Sequence, residues 1–220
     1  MNIILFTHPG ACSRVTMTAL EEAGAAYEAR WVDLSASAHH GDDYLAFNRK
    51  GKVPALIVDG VTLTENPAIL HYLHSAYPEA RLLPAGKGPF DRAQSLSDLV
   101  WCGSMLHPIV RQIRAPQRFT KGETSGIVAD GREKLSKECK FIDSRLSDND
   151  WWYGADWSIV DVYLFWIVSN AARSGFELDP YPAILAHTQR VRSRPSFKRM
   201  LAQEIAAIKA HKIGVDPAGL

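Results

Sequence analysis

Pro54-Ala55-Leu56-Ile57-Val58-Asp59-Gly60-Val61-Thr62-Leu63 is the stretch on which the fold of the first part of the chain turns. Two short aliphatic and β-branched runs flank Asp-Gly, a dipeptide that tolerates the positive φ angles of a tight hairpin, so the runs are expected to pair antiparallel. Upstream, Ile3-Ile4-Leu5-Phe6 before Pro9-Gly10 reads as a buried strand, Cys12 to Ala23 as a helix stopped by Gly24, and Tyr27 to Val32 as a second strand. Downstream, Glu65-Asn66-Pro67-Ala68-Ile69-Leu70-His71-Tyr72-Leu73 puts an acid and a proline into the first turn of a helix, where exposed amides and the helix dipole favour them. The order βαβ, then ββα, predicts one compact α/β sheet with helices packed on it.

Residues 79–89 change character. Pro84, Gly86, Gly88 and Pro89 interrupt any apolar periodicity, as a linker does, and separate a first domain over 1–78 from a second over 90–220. Lys87 lies in this linker, without the spacing or the following Ser/Thr of a phosphate-binding loop. Beyond it, Phe90 to Arg114, Ile127 to Leu146, Ile159 to Ser174, Tyr181 to Arg192 and Phe197 to His211 carry helical patterns, so the second domain is expected to be an all-helical bundle. Pro108 and Pro116 are expected to kink or end its first helix. Ser158-Ile159-Val160-Asp161 has the form of a capping box with Asp in place of Glu, and marks a helix start without implying chemistry.

The bulk properties narrow the function. Lys and Arg number 25 against 24 Asp and Glu, a formal charge of +1, which supplies no general field for nucleic acid or anionic lipid. No stretch is long and apolar enough for a membrane span, and the N-terminus has no basic leader, so a cytoplasmic protein is expected. Cys12, Cys102 and Cys139 are too widely spaced for a disulfide framework or a Cys-x-x-Cys pair, which fits a reducing compartment.

Several residues could carry chemistry. Cys12 falls where a strand has turned into a helix; a thiolate there faces unsatisfied amides and the positive end of the dipole, although a small buried apolar role is the default. Ser13, at the same helix start, could cap the helix or hydrogen-bond a substrate sulfur. Val53-Pro54 enters the hairpin strand, where a cis bond would leave the Val53 backbone to pair with an extended ligand and a trans turn is the default. Glu65 and Asn66 offer an acceptor and a mixed donor and acceptor beside helix-start amides, suited to a zwitterionic amino-acid group or to plain capping. His71 and His74 are three apart with no third ligand spaced to join them, so no metal site is expected. His107 precedes Pro108 at an expected helix irregularity. Leu106, Ile109, Val110, Ile113, Phe119 and Trp166 could wall a pocket or fill a core.

Taken together, Phe6-Thr7-His8-Pro9-Gly10-Ala11-Cys12-Ser13, Asn48-Arg49-Lys50-Gly51-Lys52-Val53-Pro54-Ala55-Leu56 and Leu63-Thr64-Glu65-Asn66-Pro67-Ala68-Ile69-Leu70 resemble cytosolic glutathione transferases, most closely the bacterial beta class. Ser158-Ile159-Val160-Asp161 and Arg194-Pro195-Ser196-Phe197 are similar to that family's helical domain, so the likeness runs over nearly the whole chain. The resemblance implies a thioredoxin-like N-terminal domain that binds glutathione as cosubstrate, and a helical domain that shapes a pocket for a hydrophobic electrophile. It implies that the Val53 backbone, beside a cis-Pro54, pairs with the cysteinyl unit, and that Glu65 and Asn66 hold the γ-glutamyl end. Asn66 stands where the family more often has Ser.

The resemblance further implies that Cys12 lies beside the glutathione sulfur, with Ser13 and His107 as the other catalytic candidates. Ser35 takes a place where the beta class often carries Lys, and Val100 one that is usually polar; Lys52, His39 and His40 are the nearby cations for the glycyl carboxylate. The leading expectation is conjugation of the glutathione thiolate to an electrophile by a homodimer. Thiol transfer or thioether cleavage through Cys12, and a noncatalytic glutathione-binding module, are the alternatives.

Overall fold

The computed structural model describes residues 1–86 and 88–215; Lys87, in the expected linker, and residues 216–220 lie outside the described residues. Contacts divide the chain into two units, Met1–Leu82 together with the chain from Ser193 onward, and Leu83–Arg192.

The first unit opens with β1 (Ile3–Thr7), α1 (Ser13–Glu22) and β2 (Glu28–Trp31), continues through a short α2 (Asp42–Leu45), and completes its sheet with β3 (Ala55–Val58) and β4 (Val61–Thr64) before α3 (Asn66–Ala76). The strand order is β2-β1-β3-β4, with β1 parallel to β2 and antiparallel to β3. Leu5 stands opposite Leu56, and Leu56 opposite Leu63, so the central strands share one apolar row. The Asp-Gly turn forms as expected: Asp59 and Gly60 have φ of 47° and 86°, and the Asp59 carboxylate accepts the Asn2 N–H at 2.7 Å. Residues 35–43, polar and without periodicity, hold a 3-10 turn over Ala38–His40 and the start of α2, neither of which their composition announces.

The second unit is helical. α4 (Pro89–Trp101) runs through a π-helical turn (Cys102–Leu106) into α5 (His107–Arg114), followed by α6 (Ser125–Ser147), α7 (Ile159–Ala172) and α8 (Pro182–Ser193). The irregularity expected near Pro108 is this π turn: proline has no N–H for the carbonyl four residues earlier, and the ladder widens ahead of it. α5 ends before Pro116, as expected. Gly131 of α6 admits α5 closely, since a Cβ there would stand 2.9 Å from Gln112 Cβ. α7 is buried over nearly its whole length, and its capping box is complete. Asp161 Oδ2 accepts the Ser158 N–H at 2.8 Å and the Ser158 hydroxyl at 2.9 Å, while Oδ1 accepts the Trp152 N–H at 2.7 Å and His187 Nε2 at 2.9 Å. His187 was not legible as a partner of this box.

The last helix, α9 (Pro195–His211), follows the helices of the second unit in sequence, packs on α1, and is grouped by its contacts with the first unit. Electrostatics supply the physical reason. Glu204 is fully buried; its carboxylate accepts the Gly10 N–H at 3.1 Å and pairs with Arg14 of α1, itself 1% exposed. Arg199 and Gln203 bind Glu21, and Arg194 binds Glu22, along the same seam. Among the described residues, no helix is long and apolar enough to cross a membrane.

Glu204→Ala removes the carboxylate paired with a buried guanidinium and is expected to destabilise the protein by about 3–5 kcal/mol, with more than half recovered in the Arg14→Met/Glu204→Leu double variant, as urea denaturation would measure. Asp161→Ala removes the acceptor of four hydrogen bonds and is expected to cost at least about 3 kcal/mol by the same measurement, against under about 1 kcal/mol for substitution of the exposed Asp156.

Candidate active site

The loop between β1 and α1 carries Cys12 as the residue preceding the first turn of α1, in αR conformation and without a side-chain cap. Its thiol, 9% exposed, donates to the Val53 carbonyl at 3.4 Å. Pro9-Gly10 makes the turn, with Gly10 at a φ of 74°, and the Glu204 carboxylate holds the Gly10 N–H. The Cys12 carbonyl accepts the Asn66 Nδ2 amide at 2.9 Å, and Thr16 donates to Asn66 Oδ1 at 2.7 Å. Asn66, 4% exposed, thus uses both ends of its side chain to join the starts of α1 and α3.

Ser13 is 0% exposed. Its Oγ accepts Thr7 Oγ1–H at 2.8 Å and the His8 N–H at 3.3 Å, which makes it a brace inside the loop. His8, also buried, donates from Nδ1 to the Val32 carbonyl at 2.8 Å. These bonds explain how a segment with two turn residues holds one shape.

Val53-Pro54 is cis. The preceding carbonyl, of Lys52, accepts two hydrogen bonds, from Tyr44 Oη at 2.6 Å and Asn48 Nδ2 at 2.7 Å. Burial pushes the Tyr44 phenol up to about 12, with the neighbouring Cys12 adding to the rise, so it stays protonated and donating. Tyr44 packs edge-on against Phe6 in a cluster with Val32, Val53, Ala55 and Ile57. Gly51 has a φ of 56°, and a Cβ there would meet the His39 carbonyl and His40 Nδ1 at 3.0 Å, so His40 lies against the loop that carries Lys52. The His40 ring lies 3.9 Å from that of His39, tilted by 40°, and His40, like Lys52, is exposed.

Glu65 precedes the first turn of α3 at a φ of 74°, a backbone conformation rarely adopted by residues other than glycine. Its carboxylate is paired with Lys50, 2.7 Å away. The first unit therefore brings Cys12, Val53, Asn66 and Glu65 to neighbouring loop ends, and adds Tyr44, Asn48, Thr16 and Lys50, which sequence reasoning had not singled out. Asn48 and Lys50 stand in a segment that carries the family likeness without a role of their own, and Tyr44 and Thr16 have no signal in the sequence.

In the second unit, His107 opens α5; its ring packs edge-on against Trp166 at 4.4 Å, and Arg111 donates to its Nε2 at 3.2 Å. A guanidinium only donates, so Nε2 serves as acceptor and the ring proton sits on Nδ1. Of the residues weighed as pocket walls, Leu106, Ile109, Val110, Ile113 and Trp166 are buried core, and Phe119 is 45% exposed. Burial raises the Cys102 thiol well above its ordinary range and the Cys139 thiol to about 12. Among the described residues, no group of three or more His, Cys, Asp or Glu side chains is arranged to hold a metal ion.

Residues 1–75 match the family described as glutathione S-transferase, N-terminal domain, and residues 106–204 match glutathione S-transferase, C-terminal domain. Glutathione S-transferase GstA of Escherichia coli O157:H7 is 34% identical over 202 residues, spanning 91% of this chain and 98% of that protein. Among solved structures, the bacterial beta class glutathione S-transferase of Sphingomonas chungbukensis has a TM-score of 0.81 at 37% identity, covering 91% of this chain and 98% of its own. A sphingomonad glutathione S-transferase complexed with glutathione has a TM-score of 0.81 at 35% identity, with the same coverage. The sheet and helix order, the Cys12 loop and these likenesses over both units agree: the chain belongs to the glutathione S-transferase family and is most like its bacterial beta class.

Proposed function

We propose that this glutathione transferase binds glutathione on the first unit and adds its thiolate to a hydrophobic electrophile, as a homodimer in a reducing cytoplasm. The observation that carries the reading is the Cys12 thiol at the opening of α1, in contact with the Val53 carbonyl. A ligand whose cysteinyl backbone pairs with Val53 brings its own sulfur to that opening, where the amides and dipole of α1 favour the thiolate. The Cys12 thiol then exchanges its carbonyl partner for the ligand sulfur. The thiolate's electron pair forms the carbon–sulfur bond while the electrophile loses its leaving group, or takes up a proton after addition. Glu65 is proposed to take the γ-glutamyl amine, and Lys52 and His40 the glycyl carboxylate.

Asn66 and Ser13 enter this reading differently from the other candidates, because their side chains are committed to Cys12 O and Thr16, and to Thr7 and His8. Their proposed part is to hold Cys12 in place. For His107 we propose a role in the second unit, with its ring held between Arg111 and Trp166.

The placement of Cys12 also supports thiol transfer as a second reading. There the Cys12 thiolate attacks a disulfide bearing glutathione, a thiol leaves, and a second glutathione releases glutathione disulfide. Substitution separates the two. Cys12→Ala is expected to abolish disulfide exchange if thiol transfer is the activity, and to leave much of the conjugation rate toward an aryl halide if conjugation is. Iodoacetamide is expected to modify Cys12 with protection by glutathione, while Cys102 and Cys139, whose buried thiols stay protonated, remain unmodified in intact-mass spectra. Failure of glutathione to protect Cys12 would refute its placement beside the ligand.

Light scattering is expected to give twice the 24.4 kDa chain mass, and a monomer at working concentration would overturn the homodimer.

A further inference from the structure

The Glu65 carboxylate, assigned above to the ligand amine, already has a cation. Lys50 Nζ donates to Glu65 Oε1 at 2.7 Å and to Thr64 Oγ1 at 2.9 Å. The pair joins the loop before Gly51 to the residue that opens α3, and the left-handed backbone of Glu65 fixes where its side chain starts. An ammonium group arriving alone at Glu65 would displace Lys50 and leave its charge with only a hydroxyl acceptor. One ion pair would replace another, with little gain. The γ-glutamyl end of glutathione, however, carries an ammonium and a carboxylate on the same carbon. Such a zwitterion can enter the pair without separating charge, its ammonium meeting Glu65 and its carboxylate meeting Lys50.

We propose that Lys50 binds the α-carboxylate of the γ-glutamyl unit, so that the Lys50 and Glu65 pair together select a free α-amino-acid terminus. The inference rests on the glutathione reading. It adds a specificity residue to that site, and it differs from a purely structural role for Lys50, in which the lysine only steers Glu65. Both side chains are partly open to solvent, 39% for Lys50 and 60% for Glu65, so the selection is modest and weakens with salt.

Calorimetry with two ligands tests it: glutathione, and γ-aminobutyryl-cysteinyl-glycine, which keeps the amine and lacks the α-carboxylate. The native protein is expected to bind the second about fivefold more weakly. Lys50→Met is expected to weaken glutathione binding by about the same factor and to erase the difference between the two ligands, and Lys50→Arg to retain it. Persistence of the native difference in Lys50→Met, or equal affinity of the native protein for both ligands, would overturn the proposal while leaving glutathione binding intact. Absence of any glutathione binding by the native protein would instead overturn the glutathione reading, and this inference with it.

Discussion

A buried carboxylate organises the first unit. Glu204, from the last helix, accepts the Gly10 N–H and pairs with Arg14, with both side chains essentially removed from water. Neither charge would be tolerated there alone, so each requires the other and the loop amide to stay in place. The arrangement fixes the turn that delivers Cys12 and the first helical residues after it. It also means that the first unit is not a continuous stretch of chain: the segment through Leu82 depends on a residue more than a hundred positions later. A gene fragment ending at the apparent domain boundary would carry the whole sheet and still lack the partner of its buried arginine.

Around this anchor, polar side chains serve mainly as braces between loops. Asn66 ties the carbonyl of Cys12 to Thr16, Ser13 collects Thr7 and the His8 amide, and Tyr44 with Asn48 holds the carbonyl before Val53. Buried polar groups must be paired, and pairing them with backbone atoms of loops turns that requirement into rigidity.

Much of this was legible because local chemistry and global fold agree. Asp59-Gly60 can only make a tight turn between those apolar runs, and Ser158 with Asp161 can only satisfy amides at a helix start. Cys12, Val53 and Glu65 were reached through spacing and through family likeness. The remainder depended on contacts between residues far apart in the chain. Arg14 with Glu204 and Asp161 with His187 involve separations of 190 and 26 residues, which no local pattern reports. The packing of α9 on α1 is of the same kind: its periodicity identifies a helix and is silent on which partner it packs against. Lys50 was passed over as one cation among Arg49, Lys50 and Lys52, since only geometry distinguishes the one that reaches Glu65.

The Tyr44 phenol has a consequence for alkaline chemistry. An ordinary cysteine thiol ionises near about 8.5, whereas Tyr44 holds its proton to about 12 because ionising it would place a charge inside the sheet edge. Across the whole interval in which a sulfur gains its nucleophilic form, the hydroxyl therefore keeps donating to the Lys52 carbonyl. That one brace is therefore a spectator to thiol ionisation.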